Sequence, residues 1–411
     1  MEALALIALI WIVVGTILTC WTCGGAIAAA WREPVLKRPV LIVESDDWGA
    51  GPLEQAEWLK RIAAVFDTFA DCDGKKPVMT LGLVLGVPYG TRISADGLCK
   101  YHRKLLDDPE LAPVLAAIKH GIQLGVFSPQ LHGHEHFWPP TLLRAARSDP
   151  HVEAWLVAKG LAKTEALPAA LQSRWVDASV LPSRPLPVAE LKCAALAEAE
   201  DFRRILGAGP SVAVPPTFIW NDEVEISWAE GGVRFVVTPG QRYEARNADG
   251  EPSANGSAFV NGDRGRGGVM YLVRDVYFEP ARGHKVVHAL RAIRIKTHAG
   301  RPTLLETHRA NFLGDEAAAA EAVRELERLL RMAIQAFPEL AFLSTEELAN
   351  RMHEKDPRLV EHRFAARLNV CMRRLWRLGR LRKLACITGA IVPAWLLYTV
   401  SRPATPRAPR G

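Results

Sequence analysis

The chain's 411 residues, 49% hydrophobic and 23% charged, exclude a disordered or low-complexity protein and suffice for one large core or two ordinary ones. Seven cysteines, an odd number without metal-finger spacing, give no sign of a disulfide framework; Cys72, Cys99 and Cys193 are expected to be buried thiols. The net charge of +6 is small for this length, yet it hides a strong local asymmetry toward the carboxyl end.

In chain order, residues 3–30 carry no charge and exceed the roughly 20 residues that cross a bilayer, so a transmembrane anchor is expected there. A cleaved signal peptide is the rival reading, suited by "AIAAAW". Glu2, the lack of an early Lys or Arg and the length of the apolar run favour the anchor. Apolar, β-branched runs follow at "PVLIVES", "VMTLGLVLG", "GIQLGVFS", "SVAVPPTFIW", "VRFVVTP", "VMYLVRDVYF" and "TLLETH", several separated by helical stretches. This alternation predicts an α/β fold with a mainly parallel sheet, open or closed into a barrel. Residues 141–206 read as a helical insertion and 247–268 as a turn-rich loop, while "GDEAAAAEAVRELERLLRMAIQAF" predicts a helix started by Asp315.

Across 373–383, "RRLWRLGRLRK", every charged residue is basic, and an apolar run at 384–400 follows. That position points to a membrane surface and not to nucleic acid. Residues 357–383 are therefore expected to form a basic juxtamembrane helix and 384–400 a second transmembrane or membrane-embedded segment. Basic residues flank both apolar runs on the side of the intervening 36–356 domain. Loop charge thus predicts a membrane protein, of the bacterial inner membrane, whose intervening domain faces the cytoplasm.

Two adjacent acids, Asp46 and Asp47, end the first strand, where parallel α/β folds place their active sites; standing alone they would be a loop start or a helix cap. "LHGHEHFW" also ends a strand, so parallel topology brings His132, His134 and His136 to the same rim. Imidazole and carboxylate donors suit a divalent ion such as Zn²⁺ with one open position. His134 is expected to turn to the opposite face from its neighbours and to be structural.

These residues resemble the motifs of polysaccharide deacetylases, the NodB-like carbohydrate esterases. "SDDWG" resembles the first motif, which implies that Asp46 is the general base and Asp47 a metal ligand. "HGHEH" is similar to the second, implying His132 and His136 as ligands, with Gly133 in the hydroxyl position. "AVPPTFIWN" is similar to the third, but Val214 stands where an arginine is usual, so the group that orients the base is missing or comes from elsewhere. "TLLETHRANF" resembles the closing motif and implies His308 as general acid. The likeness runs discontinuously over 39–352. It implies a distorted (β/α)7-type barrel with a helical insertion, flanked by terminal transmembrane helices. It also implies a metal-dependent hydrolase that removes an N-acyl group, above all acetyl, from an amino sugar of a glycan, a glycolipid or a nucleotide-sugar precursor. Trp138, Pro216, Trp220 and Arg274 stand beside the motifs as candidate substrate contacts, Arg274 with Asp275 or Glu279 as alternative ion-pair partners. Two other readings stay open: a metal amidohydrolase using His132 and His134 as an HxH pair, and a catalytically degenerate barrel serving as an envelope-assembly scaffold.

Overall fold

The computed structural model describes residues 1–158 and 160–401, with the backbone alone at 254–257. The main sheet contains, in chain order, β1 (Val40–Gly49), β2 (Met79–Val84), β3 (Phe127–Leu131), β4 (Val212–Ala213), β5 (Phe235–Thr238), β6 (Met270–Val273), β7 (Val276–Tyr277), β8 (Thr303–His308) and β9 (Ala341–Phe342). Its spatial order is β6-β5-β4-β3-β2-β1-β8-β7, with β9 beside the start of β1, and every pairing is parallel. The two edge strands, β6 and β7, are consecutive in the chain, separated only by Arg274 and Asp275. Three Cα steps span at most about 11 Å, so the sheet must curl until its edges almost meet. The fold is a distorted (β/α)7-type barrel, held open at one seam.

Strand alternation divides this sheet into an outer and an inner face. Leu41, Val43, Met79, Leu81, Leu83, Phe127, Val236 and Leu305 point outward into the main core with the surrounding helices. Ile42, Val212, Phe235, Val237, Met270, Leu272 and Leu304 point inward and fill the lower lumen. On the same inward face, two and four residues further on, the lumen turns polar: Glu44 and Asp46 on β1 face Glu306 and His308 on β8 in register. Apolar packing therefore plugs the bottom of the barrel and leaves charge at its carboxyl-end rim.

Helix Glu316–Ala336 forms as expected, with Asp315 Oδ1 accepting from the Ala318 amide at 2.8 Å. The 141–206 stretch divides: helices Pro139–Ala146 and Pro150–Leu156 are additional to the barrel, whereas helix Val188–Leu206 packs into the main core as the crossover that a parallel β3–β4 connection needs. Residues 247–268 are not a plain loop, because Gln241–Arg246 and Pro252–Ala258 pair as an antiparallel hairpin that enters them. Cys72, Cys99 and Cys193 are exposed; they lie in turns or on the outer side of a helix.

Among the described residues one helix, Glu2–Thr22, is long and apolar enough to cross a membrane. It breaks at Cys23 before a second helix, Gly24–Arg32. A straight span over 384–400 does not form: helices Gly379–Thr388 and Ile391–Val400 meet at 111°, around Gly389 with φ +77°. At ten residues, each is about 15 Å long, half a hydrocarbon core. This bent pair packs on the first helix, where a Cβ at Gly15 would lie 2.0 Å from the Thr388 carbonyl and where the Thr19 and Thr388 hydroxyls share a 2.9 Å hydrogen bond. Arg374, buried at the end of helix Phe364–Trp376, ties the terminal helices to the barrel by donating to the carbonyls of Ala30, Glu33, Pro34, Ala299 and Gly300.

Candidate active site

In a regular strand, Asp46 and Asp47 would face opposite ways. The β1–β2 register shifts between Ser45 and Trp48, and Asp47 adopts φ +72°, a conformation that costs a non-glycine residue energy and is concentrated at functional sites. This bulge turns both carboxylates into one cavity. Gly82 on β2 makes room for the first, since a Cβ there would lie 2.3 Å from Asp46 Oδ1.

His132 follows β3 directly. Its Nδ1 donates to the Val214 carbonyl at 2.8 Å, which in the neutral ring puts the lone pair on Nε2. That Nε2 lies 3.1 Å from His136 Nε2 and 3.5 Å from Asp47 Oδ1, and His136 Nε2 lies 3.4 Å from the same oxygen. Metal–ligand bonds of about 2.0–2.1 Å in a tetrahedron put donor atoms about 3.3–3.4 Å apart, so the triangle matches a Zn²⁺-sized ion. Asp47 Oδ1 is moreover buried without a hydrogen-bond partner. Burial, with His132 and His308 nearby, lowers His136 to about 4, the neutral state a ligand needs. Burial would raise Asp47, but His136 and His132 outweigh it and hold the group below its usual range.

His134 does turn away, for a reason other than strand alternation, which would put 132, 134 and 136 on one face. The strand ends at Leu131, and Gly133 with φ +89° swings the chain around. His134 Nε2 pairs with Asp201 at 2.9 Å, its amide donates to Glu198, and Glu135 is sandwiched between Arg103 and Arg174 at 2.6 and 2.7 Å. The HxH pair is therefore not brought together around Asp47.

Arg274 supplies a guanidinium where Val214 has none. Its side chain is 1% exposed and donates to Asp46 Oδ2 at 2.5 Å, to Glu44 Oε2 at 3.0 Å and to Glu306 Oε2 at 3.2 Å. Neither Asp275, which pairs with Lys296, nor Glu279 is its partner. Burial alone would raise Asp46; Arg274, then His132 and His308, more than offset it and keep the carboxylate ionised. Glu44, with the same guanidinium but deeper, is pushed by burial to about 7.

Across the cavity, His308 Nδ1 pairs with Glu279 Oε1 at 2.6 Å, and Asn311 holds the other Glu279 oxygen. Burial would lower this histidine; the Glu279 hydrogen bond, then Asp47 and Asp46, raise it to about 9. In the sequence Glu279 stood out only as an alternative ion-pair partner of Arg274, and Glu44 not at all, although Glu44 sits two positions before Asp46 on the same strand face. The cavity has a volume of about 430 Å³ and is also lined by Thr217, Phe218, Tyr277, Arg282 and, from the extra helical region, Glu165 and Gln172. Thr217 and Phe218 both have positive φ, +53° and +55°. Three suggested substrate contacts lie elsewhere. Trp220 is fully buried and donates to Glu225 at 3.0 Å, Trp138 lines a separate cavity beside Arg174, and Pro216 is buried while its neighbours reach the site.

No family model matches the chain, nor does any curated protein. Similar solved structures include the 4-alpha-glucanotransferase of Thermococcus litoralis, at 11% identity and TM-score 0.38 over 76% of this chain, which spans 40% of that enzyme. The peptidoglycan deacetylase PdaC of Bacillus subtilis is 11% identical with TM-score 0.36, covering 78% of this chain and 94% of its own. The family 4 carbohydrate esterase of Streptomyces lividans, solved with acetate, is 9% identical with TM-score 0.32, covering 74% and 92% respectively.

Proposed function

We propose that the protein is a metal-dependent carbohydrate deacetylase that removes the N-acetyl group of an amino sugar. The observation that carries this is one cavity holding three convergent metal donors, an ionised carboxylate and a protonated histidine. A divalent ion, Zn²⁺ by its donor set, would be held by Asp47, His132 and His136 and would polarise the amide carbonyl and make water more acidic. Asp46, kept ionised by Arg274 and with Oδ1 free of hydrogen bonds, takes the proton from the attacking water as its oxygen bonds to the carbonyl carbon. His308, oriented through Nδ1 by Glu279, gives the Nε2 proton to the nitrogen as the carbon–nitrogen bond breaks. Acetate and a free amino sugar leave.

The terminal helices support a membrane location, and the basic flanks a cytoplasmic face for the barrel, where lipid-linked or nucleotide-linked sugars are the available substrates. The scaffold reading drew on the arginine absent at position 214, and Arg274 removes that ground. The test is acetate release from N-acetylated amino-sugar oligomers and from a nucleotide-linked N-acetyl sugar by the purified full chain loaded with Zn²⁺. Release lost in Asp46→Asn and His308→Ala, with the metal retained, is expected; a metal-loaded protein inert on all of them would overturn the proposal.

A further inference from the structure

The stretch from 280 to 305 contains no acidic residue but carries Arg282, Lys285, Arg291, Arg294, Lys296 and Arg301. Its centre is helix Val286–His298, which runs down the outside of the barrel. Val287, Arg291, Arg294, Ile295 and His298 recur at intervals of three and four and all are exposed, so they form one stripe. The helix is about 20 Å long and connects two places already described. At its upper end Arg282 lines the active-site cavity. At its lower end the carbonyls of Ile295 and His298 accept from Arg377 and Arg373 of the basic terminal region.

Among the described residues, the charge on this stripe has no ion-pair partner. Lys296 pairs with Asp275 and Arg301 with Glu33, while Glu321 on the adjoining helix pairs with Arg324. Among the described residues, no carboxylate oxygen lies within 4.0 Å of Arg282, Lys285, Arg291, Arg294, Arg373, Arg377, Arg380, Arg382 or Lys383. A basic helix face is ordinarily just a solvated one. Two further features distinguish this one. Val287 and Ile295, 65% and 40% exposed, place apolar side chains among the arginines, and His298 at the end of the stripe shares a cavity wall with the exposed Trp376 and Trp395 of the terminal helices. Apolar side chains set in a basic face suit a helix lying in the headgroup layer of an anionic membrane.

We propose that the Val287–His298 stripe, continuous with Arg373 and Arg377, docks on anionic phospholipid headgroups of the membrane that holds the terminal helices. The barrel then lies on its side, and the Arg282 edge of the active-site mouth sits at the bilayer surface. This rests on the membrane reading of the terminal helices and is independent of the chemistry assigned to the cavity.

The test is hydroxyl-radical footprinting of Val287 and Ile295 in the full chain, reconstituted into vesicles of phosphatidylcholine alone or mixed with phosphatidylglycerol. Oxidation should fall on the order of threefold or more in the anionic vesicles. The protection should be relieved near 1 M salt, where the Debye length is about 3 Å. It should also be lost in Arg291→Glu/Arg294→Glu, whose two positions are exposed and have no ion-pair partner among the described residues. Equal oxidation in both lipids, or protection that survives the charge reversal, overturns the docking. A soluble acidic polysaccharide that protects the two residues in neutral vesicles as well as phosphatidylglycerol does would reassign the stripe to a polyanion. Failure of the chain to float with either vesicle removes the membrane premise, and the proposal with it. Zn²⁺ content and acetate release, read on the same samples, report the cavity separately.

Discussion

Glu279→Gln isolates the acid half of the proposed chemistry. Glu279 Oε1 lies 2.6 Å from His308 Nδ1, and glutamine keeps the shape and a hydrogen-bond acceptor while removing the charge. A histidine raised to about 9 is charged through neutrality and loses its proton as pH rises through that value. Removing Glu279 moves the loss down toward the ordinary value near 6.5. At pH 7.5 the protonated fraction is about 97% for a pKa of 9 and about 9% for 6.5, a limit of about tenfold in kcat. Because Asp47 and Asp46 also raise the ring, the expected fall is about threefold to tenfold at pH 7.5, and less than about twofold at pH 6. The assay is acetate release against pH for both proteins at matched metal content, since a bound cation lowers both alkaline limbs together. Superimposable profiles, or a uniform fall at every pH, would refute the assignment of His308 as an acid tuned by Glu279.

Arg274→Met leaves Glu44, Asp46 and Glu306 buried without their shared cation; stability in urea should drop by about 3–5 kcal/mol and acetate release should disappear. Glu44 is an acid raised on folding to about 7, so the folded state binds the extra proton between about 4.5 and 7 and stability declines as pH rises through that window. Glu44→Gln should remove up to about 3 kcal/mol of that decline, read as the difference between the two proteins' urea midpoints at pH 5 and pH 8. Gly82→Ala places a methyl against Asp46 Oδ1 and should lower kcat without changing Zn²⁺ content by elemental analysis; unchanged kcat would show that Asp46 has room to move.

The alternation of strand and helix and the motif positions of Asp46, Asp47, His132, His136 and His308 were readable from the chain because strand ends in a parallel sheet share one rim. Their meeting at one rim was expected on that ground; the backbone that turns them into one cavity was not, since a side-chain pattern reports neither the bulge at Ser45–Trp48 nor the left-handed backbone at Asp47 and Gly133. Arg274 was noticed but given the wrong partners. Sequence neighbours Asp275 and Glu279 looked available, whereas closure of the barrel carries the guanidinium across the seam to β1 and β8. The rule that singled out Asp46, a charged residue at the carboxyl end of a strand, applies equally to Arg274. Trp138 and Trp220 were suggested by adjacency alone, and adjacent strand-end residues point to different sides. The bent 384–400 segment was hidden because hydropathy sees composition but not the turn at Gly389.

The seam residue also sets the order in which the protein becomes competent. Asp46 and the guanidinium that keeps it ionised are 228 positions apart, with most of the sheet between them. On the proposed chemistry, a chain that has gathered Asp47, His132 and His136 but not Arg274 would hold the ion ligands without a working base. On that chemistry acetate release requires β7 in place on the far edge of the sheet, whereas the proposed ion ligands all lie on β1 and in the turn after β3.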